Sequence, residues 1–335
     1  MSNRSLGETG FLGSHGFSPD TNQIRLLYNT RYFKLNFLII IYFITVQNRN
    51  LLVCLLITLG LWGSNIKPIL GQALVPHILQ LDSAQLEQTG LSLAEEALQL
   101  ARFQQFELAL SRAELATELA PNNQRTWALL GSLYIQAEEL EEGIAALQQA
   151  QELNPRNAEI RFVLGRAYFQ TSDYKNAIEQ LRKGLKFKPE NPGALFDLGN
   201  AYYKHGKFKR AIAQYEQAYD LEENLWPAIN NIGLVQYEMG KVDDAIAQWR
   251  EAVSIDSKAA EPLLALAVAL YTQGDKEQSL AMGEEALRLD SKYADLDYLE
   301  KHLWGKRLIE DAKRFLATPR IQETLAQIED LPQSP

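Results

Sequence analysis

Small residues recur every 34 positions along most of the chain. Gly131, Gly165, Gly199, Gly233 and then Ala267 form one column, and Ala116, Ala150, Gly184, Ala218, Ala252 and Ala286 form a second. Other columns run in phase: Tyr134, Tyr168, Tyr202; Gly206, Gly240, Gly274; Ala177, Ala211, Ala245; and Pro121, Pro155, Pro189. A fixed period of this length means that one supersecondary unit is stacked on copies of itself, because a single unit cannot bury its own apolar face. The chain of 335 residues is thereby directed toward one elongated body rather than several separate domains.

Each unit reads as two helices. Within residues 192–224 the run GALFDLGNAYYKH has helical apolar spacing, Gly206 permits the left-handed turn that ends it, and FKRAIAQYEQAYDLEE begins a second amphipathic stretch. The small residues fall where the two helices cross, letting the backbones approach while Tyr202, Phe208 and Tyr215 fill the space around the crossing.

The runs WALLGSLYIQ, FVLGRAYFQTSDYKNAIEQL and LGNAYYKHGKFKRAIAQYEQA closely resemble the tetratricopeptide repeat family. The resemblance implies an all-α fold, a right-handed α-solenoid of helix-turn-helix pairs spanning 83–291, with repeats at 90–123, 124–157, 158–191, 192–225, 226–259 and 260–291. Departures sit at the ends. Glu96 and Ala97 stand where Leu and Gly are usual in the first unit, and Lys276, Ser279 and Gly283 stand at apolar or small positions in the sixth. After Ser291 the period stops, but helical spacing continues through Leu296, Leu299, Leu303, Leu308, Phe315 and, past Pro319, Ile321 and Leu325. Residues 292–330 are expected to be capping helices that hide the exposed face of the last repeat. The run HLWGKRLIEDAKRFLATP is similar to the tails of exported tetratricopeptide proteins of cyanobacteria and plastids.

The resemblance also implies where a ligand lies. The first helix of each pair lines a concave groove, whose contact positions are three before, and one, four and five after, the small residue. In this chain they give a candidate peptide-binding set of Phe162, Arg166, Phe169, Gln170, Phe196, Asn200, Tyr203, Lys204, Asn230, Tyr237 and Tyr271. Phe169, Tyr203, Tyr237 and Tyr271 form an aromatic ladder that brings contact area at low entropy cost, while Asn200 and Asn230 are placed to bond the backbone of an extended peptide. The alternative is that the ladder only packs against the next helix, and the two readings predict opposite exposure for Tyr203 and Tyr237. Many family members clamp a chaperone C-terminal carboxylate with Lys and Arg. Here Ala128, Phe162 or Phe196 holds the first Lys place and Glu261 and Ala265 hold the later ones, so no such clamp is expected.

Composition narrows the chemistry. After His77 the chain carries 27 basic and 40 acidic residues, a balance that repels a phosphate backbone and argues against nucleic acid. Lys183, Lys186, Lys188, Lys204, Lys207, Lys209 and Arg210 form a local basic exception, suited to solvated helix ends or to an acidic partner. There is no Gly-rich phosphate loop, no nucleophile elbow and no His pair at metal-ligand spacing, and the four histidines read as surface or capping residues. The acidic pairs Glu95–Glu96 and Asp243–Asp244 read as solvated helix faces. No catalytic residue, metal or cofactor is expected.

Residues 1–34 show no sustained period and read as a disordered extension or an over-extended start, with Val46 the alternative first residue. In 35–73 two apolar runs, Leu35 to Val46 and Leu51 to Trp62, are each too short to cross a bilayer alone. Arg49, the second run and Gly71-Gln72-Ala73 read as a secretory signal cut after Ala73; an uncleaved anchor is the alternative. Cys54, the single cysteine, reads as a small apolar residue of that run and leaves no disulfide framework. Either way the body is expected on the non-cytoplasmic side, in the periplasm or thylakoid lumen. The expected role is a non-enzymatic scaffold for protein–protein interaction in assembly of an envelope or thylakoid membrane complex. The alternative is a glycan-binding accessory subunit in polysaccharide or peptidoglycan metabolism, with the ladder stacking on sugars.

Overall fold

The computed structural model describes residues 82–330. The expected N-terminal extension and the signal or anchor lie outside the described residues. Among the described residues there are fifteen α-helices, one short 3₁₀ turn and no strand. No helix among them is long and apolar enough to cross a membrane.

Twelve helices form six consecutive pairs: α1 (Ser83–Arg102) with α2 (Phe106–Leu119), α3 (Gln124–Gln136) with α4 (Leu140–Leu153), and α5 (Ala158–Gln170) with α6 (Tyr174–Leu185). The second three are α7 (Pro192–Lys204) with α8 (Phe208–Leu221), α9 (Trp226–Glu238) with α10 (Val242–Ile255), and α11 (Ala260–Gln273) with α12 (Lys276–Leu289). The fold is an α-solenoid. Asparagine starts three of the inner helices: Asn123, Asn157 and Asn191 each accept a backbone N–H of the first turn, at 3.0, 3.0 and 2.8 Å. The turn inside every pair passes through one left-handed residue. Gly206, Gly240 and Gly274 take φ of 75°, 78° and 100° without strain, whereas Gln104, Glu138 and Ser172 take 60°, 64° and 61° at the same column.

The glycine column works by close approach. A Cβ on Gly131, Gly165, Gly199 or Gly233 would meet Leu147, Leu181, Tyr215 or Trp249, which stand one period apart on the second helices. Each pair is thus a small residue facing a large filler. In the sixth pair the filler column arrives at Gly283, and the space is taken instead by Phe315 and Ile321, which lie beyond the repeats.

After Leu289 a 3₁₀ turn (Ser291–Ala294) leads to α13 (Leu296–Lys301), α14 (Lys306–Leu316) and α15 (Pro319–Glu329). Helix α15 covers the outer helix of the last pair, where Arg320 donates to Glu284 and, at 2.9 Å, to Glu277. Helix α14 goes elsewhere: it lies across the inner helices α9 and α11, and its Leu308, Ala312, Phe315 and Leu316 join the continuous core that runs from Ala158 to Ile321. The terminal segment therefore both caps the array and enters its groove.

Candidate protein-binding groove

The groove-lining positions change character along the array. The position one after the small residue is exposed at Ser132 and Arg166, half-buried at Asn200, and sealed at Leu234 and Val268. Helix α14 accounts for the sealing. Glu238, at the end of α9, accepts backbone N–H bonds from Arg307 and Leu308 at 3.0 and 3.1 Å, satisfying two of the donors that a helix N-terminus leaves open. One residue earlier, the Tyr237 hydroxyl donates to the buried Asp311 at 2.6 Å, and Arg314 pairs with the same carboxylate. Tyr271 meets the Phe315 ring edge-on at 5.4 Å.

The expectation that Tyr203 and Tyr237 are partly exposed is corrected here, since they are 6% and 1% exposed. Tyr237 is covered by Asp311 of α14, and Tyr203 packs against the tilted ring of Phe208 at 5.8 Å between ring centroids, its hydroxyl buried with no partner among the described residues. Burial pushes both phenols above their ordinary range, with Asp311 adding to the effect at Tyr237. Phe162 and Asn230 are also buried rather than groove-facing. Phe162 fills the crossing against Gly184, and Asn230 donates to Asn231 at 3.2 Å. Asn200 is half-buried and already committed, accepting from Tyr215 at 2.7 Å and Asn231 at 3.0 Å.

The remaining candidates converge. Phe169, Gln170 and Lys204 line one wall of a cleft of about 570 Å³ with Ser172 and Tyr174, and the opposite wall is α13 and its exit, through Asp297, Glu300, Lys301 and Leu303. Arg166 is exposed beside this region and pairs with Asp197 at 3.4 Å; burial raises the Asp197 carboxyl and the guanidinium opposes that rise. Phe196 is half-buried against Tyr215. The cleft offers one aromatic face, an amide and both signs of charge. The acidic pairs noted in the sequence are exposed: Glu96 faces Arg112 at 3.5 Å, and Asp243 accepts from Gln273 at 2.6 Å. Among the described residues no group of three or more His, Cys, Asp or Glu is arranged to hold a metal.

A family model described as the cytochrome c-type biogenesis protein H TPR domain matches residues 79–225, and a TPR repeat model matches residues 233–274, together more than half of the chain. The chain belongs to the tetratricopeptide repeat family. Among solved tetratricopeptide structures, the APC/C hetero-tetramer Cut9–Hcn1 aligns over 70% of this chain and 45% of that one, with a TM-score of 0.53 and 16% identity, a likeness of fold alone. This chain thus spans less than half of that relative. MamA aligns over 52% of this chain and 94% of its own, at 24% identity and TM-score 0.48. YrrB, a TPR protein with an unusual peptide-binding site, aligns over 60% and 97%, at 22% identity and TM-score 0.45. No curated protein matches the chain.

The contacts missed by reading the tetratricopeptide columns are those of the terminal segment: Glu238 with α14, Tyr237 with Asp311, and Trp304, which donates to the buried Glu261 at 3.2 Å. Two signals stood in the sequence. Gly283 breaks the column of large fillers, and Glu261 is a carboxylate at the head of an otherwise apolar helix.

Proposed function

We propose that this chain is a non-enzymatic scaffold that holds a segment of another polypeptide in the open part of its groove, around Phe169, Gln170, Arg166 and Lys204. The observation that carries this reading is α14 itself. A helix is seated on α9 and α11 by an aromatic contact and by an acid accepting its N-terminal amides, so the groove of this chain has the chemistry to retain a polypeptide. Beyond the N-terminal end of α14 the same inner face continues toward α7 and α5, with a cleft already formed against α13. The model spanning 79–225 is named for a biogenesis protein, which agrees with a role in assembling other proteins.

We further infer from the apolar run, Arg49 and Gly71-Gln72-Ala73 that the scaffold works on the non-cytoplasmic side, serving an envelope or thylakoid membrane complex. Sugar stacking draws no support from the geometry, because it needs open ring faces and two of the four ladder rings are buried while Tyr271 is covered by Phe315. The test is photo-crosslinking in the native host, with a benzophenone side chain placed at Gln170, at Lys204 and, as an outer-surface control, at Glu285. The groove positions should trap one and the same protein and Glu285 should trap none of it. A partner trapped at Glu285 and absent from both groove positions contradicts the proposal.

A further inference from the structure

We propose that the outer face of α6, together with the turn between α7 and α8, is a second docking surface whose ligand is an acidic polypeptide segment. A slot of about 330 Å³ lies there, lined by Lys175, Arg182, Lys183, Lys186 and Lys207 with Glu179 as its one acid. Glu179 is already bound, 2.5 Å from Lys183, whereas Lys175, Arg182, Lys186 and Lys207 make no ion pair among the described residues. Phe187, which follows Lys186, is 44% exposed and supplies an apolar contact beside the charges.

The charge distribution selects the partner. Between Lys175 and Arg210 there are nine basic residues and three acidic ones, while the rest of the described chain holds 18 basic against 37 acidic. An extended anionic surface, whether a bilayer or a nucleic acid, meets the acidic remainder as well as the slot and is repelled by it. A single acidic strand is narrow enough to sit within the slot. Charges farther away than roughly 8 to 10 Å are screened at physiological ionic strength, so such a strand senses the local basic cluster alone. The concavity favours the same class, since carboxylate side chains reach into a slot that a flat membrane spans without entering. This surface lies on the outer helix of the third pair and is independent of the groove proposed above.

The experiment uses the purified full-length chain and a fluorescent oligoglutamate peptide followed by anisotropy. Binding should appear at low salt and fade as sodium chloride rises past about 150 mM, where the screening length falls to about 8 Å. Replacing Arg182→Glu together with Lys186→Glu should weaken it by about tenfold or more, the loss of two charged contacts at partly screened sites. The neutralising pair Arg182→Gln and Lys186→Gln should fall between. Lys258→Glu with Lys292→Glu makes the same change in net charge at exposed positions away from the slot and should leave binding unchanged. All four residues are exposed, and unchanged helical circular dichroism confirms that each variant is folded. Equal weakening by the two Glu pairs, or no binding at low salt, overturns the proposal. So does slot-dependent retention on phosphatidylglycerol vesicles without peptide binding, which assigns the slot to a membrane.

Discussion

Arg166 in α5 and Val268 in α11 hold the same place in their repeats, yet one is open to water and the other is fully enclosed. The inner helices α5 and α9, on either side of α7, are built by the same rule, a glycine against a large filler, and they end in different states because the second half of the groove has received part of the chain itself. A groove position is therefore defined by what arrives on it as much as by its column. In the open half the side chains at this place are Ser132 and Arg166; under α14 they are Leu234 and Val268. The substitutions along a column record which stretch of groove is covered.

The largest effects are expected where the covered half depends on α14. Phe315 is fully buried between Gly283 and Tyr271, so Phe315→Ala should cost about 3 to 5 kcal/mol in chemical denaturation. Phe169→Ala in the half-exposed half should cost under about 1 kcal/mol. Similar losses at the two sites break the comparison. Gly283→Leu restores the filler of the other repeats but collides with Phe315 and Ile321. It should expel the segment after Trp304 and expose it to proteolysis, whereas a stable, protease-resistant variant means that the segment is not held there.

The larger carboxylate pH effect belongs to the covered half. Burial raises the Glu261 carboxyl from 4.5 to about 7, with bonds from Asn230 and Trp304 opposing the rise. An acid with a raised folded pKa keeps its proton longer in the native state. Its contribution is complete below pH 4.5 and is lost as pH rises through about 7, a change of at most a few kcal/mol. His302, 4.0 Å from Glu261, is pushed by burial below its ordinary 6.5 and has the opposite slope, losing stability as pH falls through 6.5. Glu261 has the larger shift, so denaturation midpoints should fall between pH 5 and 8. In Glu261→Gln that fall should vanish or reverse; an unaltered slope removes Glu261 from the account.

Smaller effects sharpen the local picture. Tyr237→Phe deletes one bond to the buried Asp311 and should cost about 1 to 3 kcal/mol, with Arg314 still pairing with the carboxylate. At the open end, Glu138→Gly relieves a left-handed residue at φ 64° and should raise the denaturation midpoint by about 1 kcal/mol in stability. A neutral result there means that the turn is not strained.

The sequence period made the solenoid legible because a 34-residue repeat of small residues admits few other packings, and Gly199 against Tyr215 is the contact it implies. The groove was legible by position and illegible by exposure. Tyr203, Tyr237 and Asn230 fall in the expected columns, but the burial of Tyr237 is imposed by Asp311, 74 residues away and outside any period. Phe162 was misplaced for a local reason: opposite it Gly184 leaves room for a ring, so the aromatic turns into the crossing. The asparagine caps of α3, α5 and α7 recur with the same period, two residues after the prolines Pro121, Pro155 and Pro189.

Amide hydrogen exchange of the full-length chain reports directly on whether α14 stays docked in the groove. The account predicts that the amides of Lys306–Leu316 are protected to a degree comparable with those of Ala260–Gln273, the helix on which they lie, because both belong to one buried core. Exchange of Lys306–Leu316 at the rate of an undocked helix, while Ala260–Gln273 stays protected, contradicts it and leaves the whole groove open.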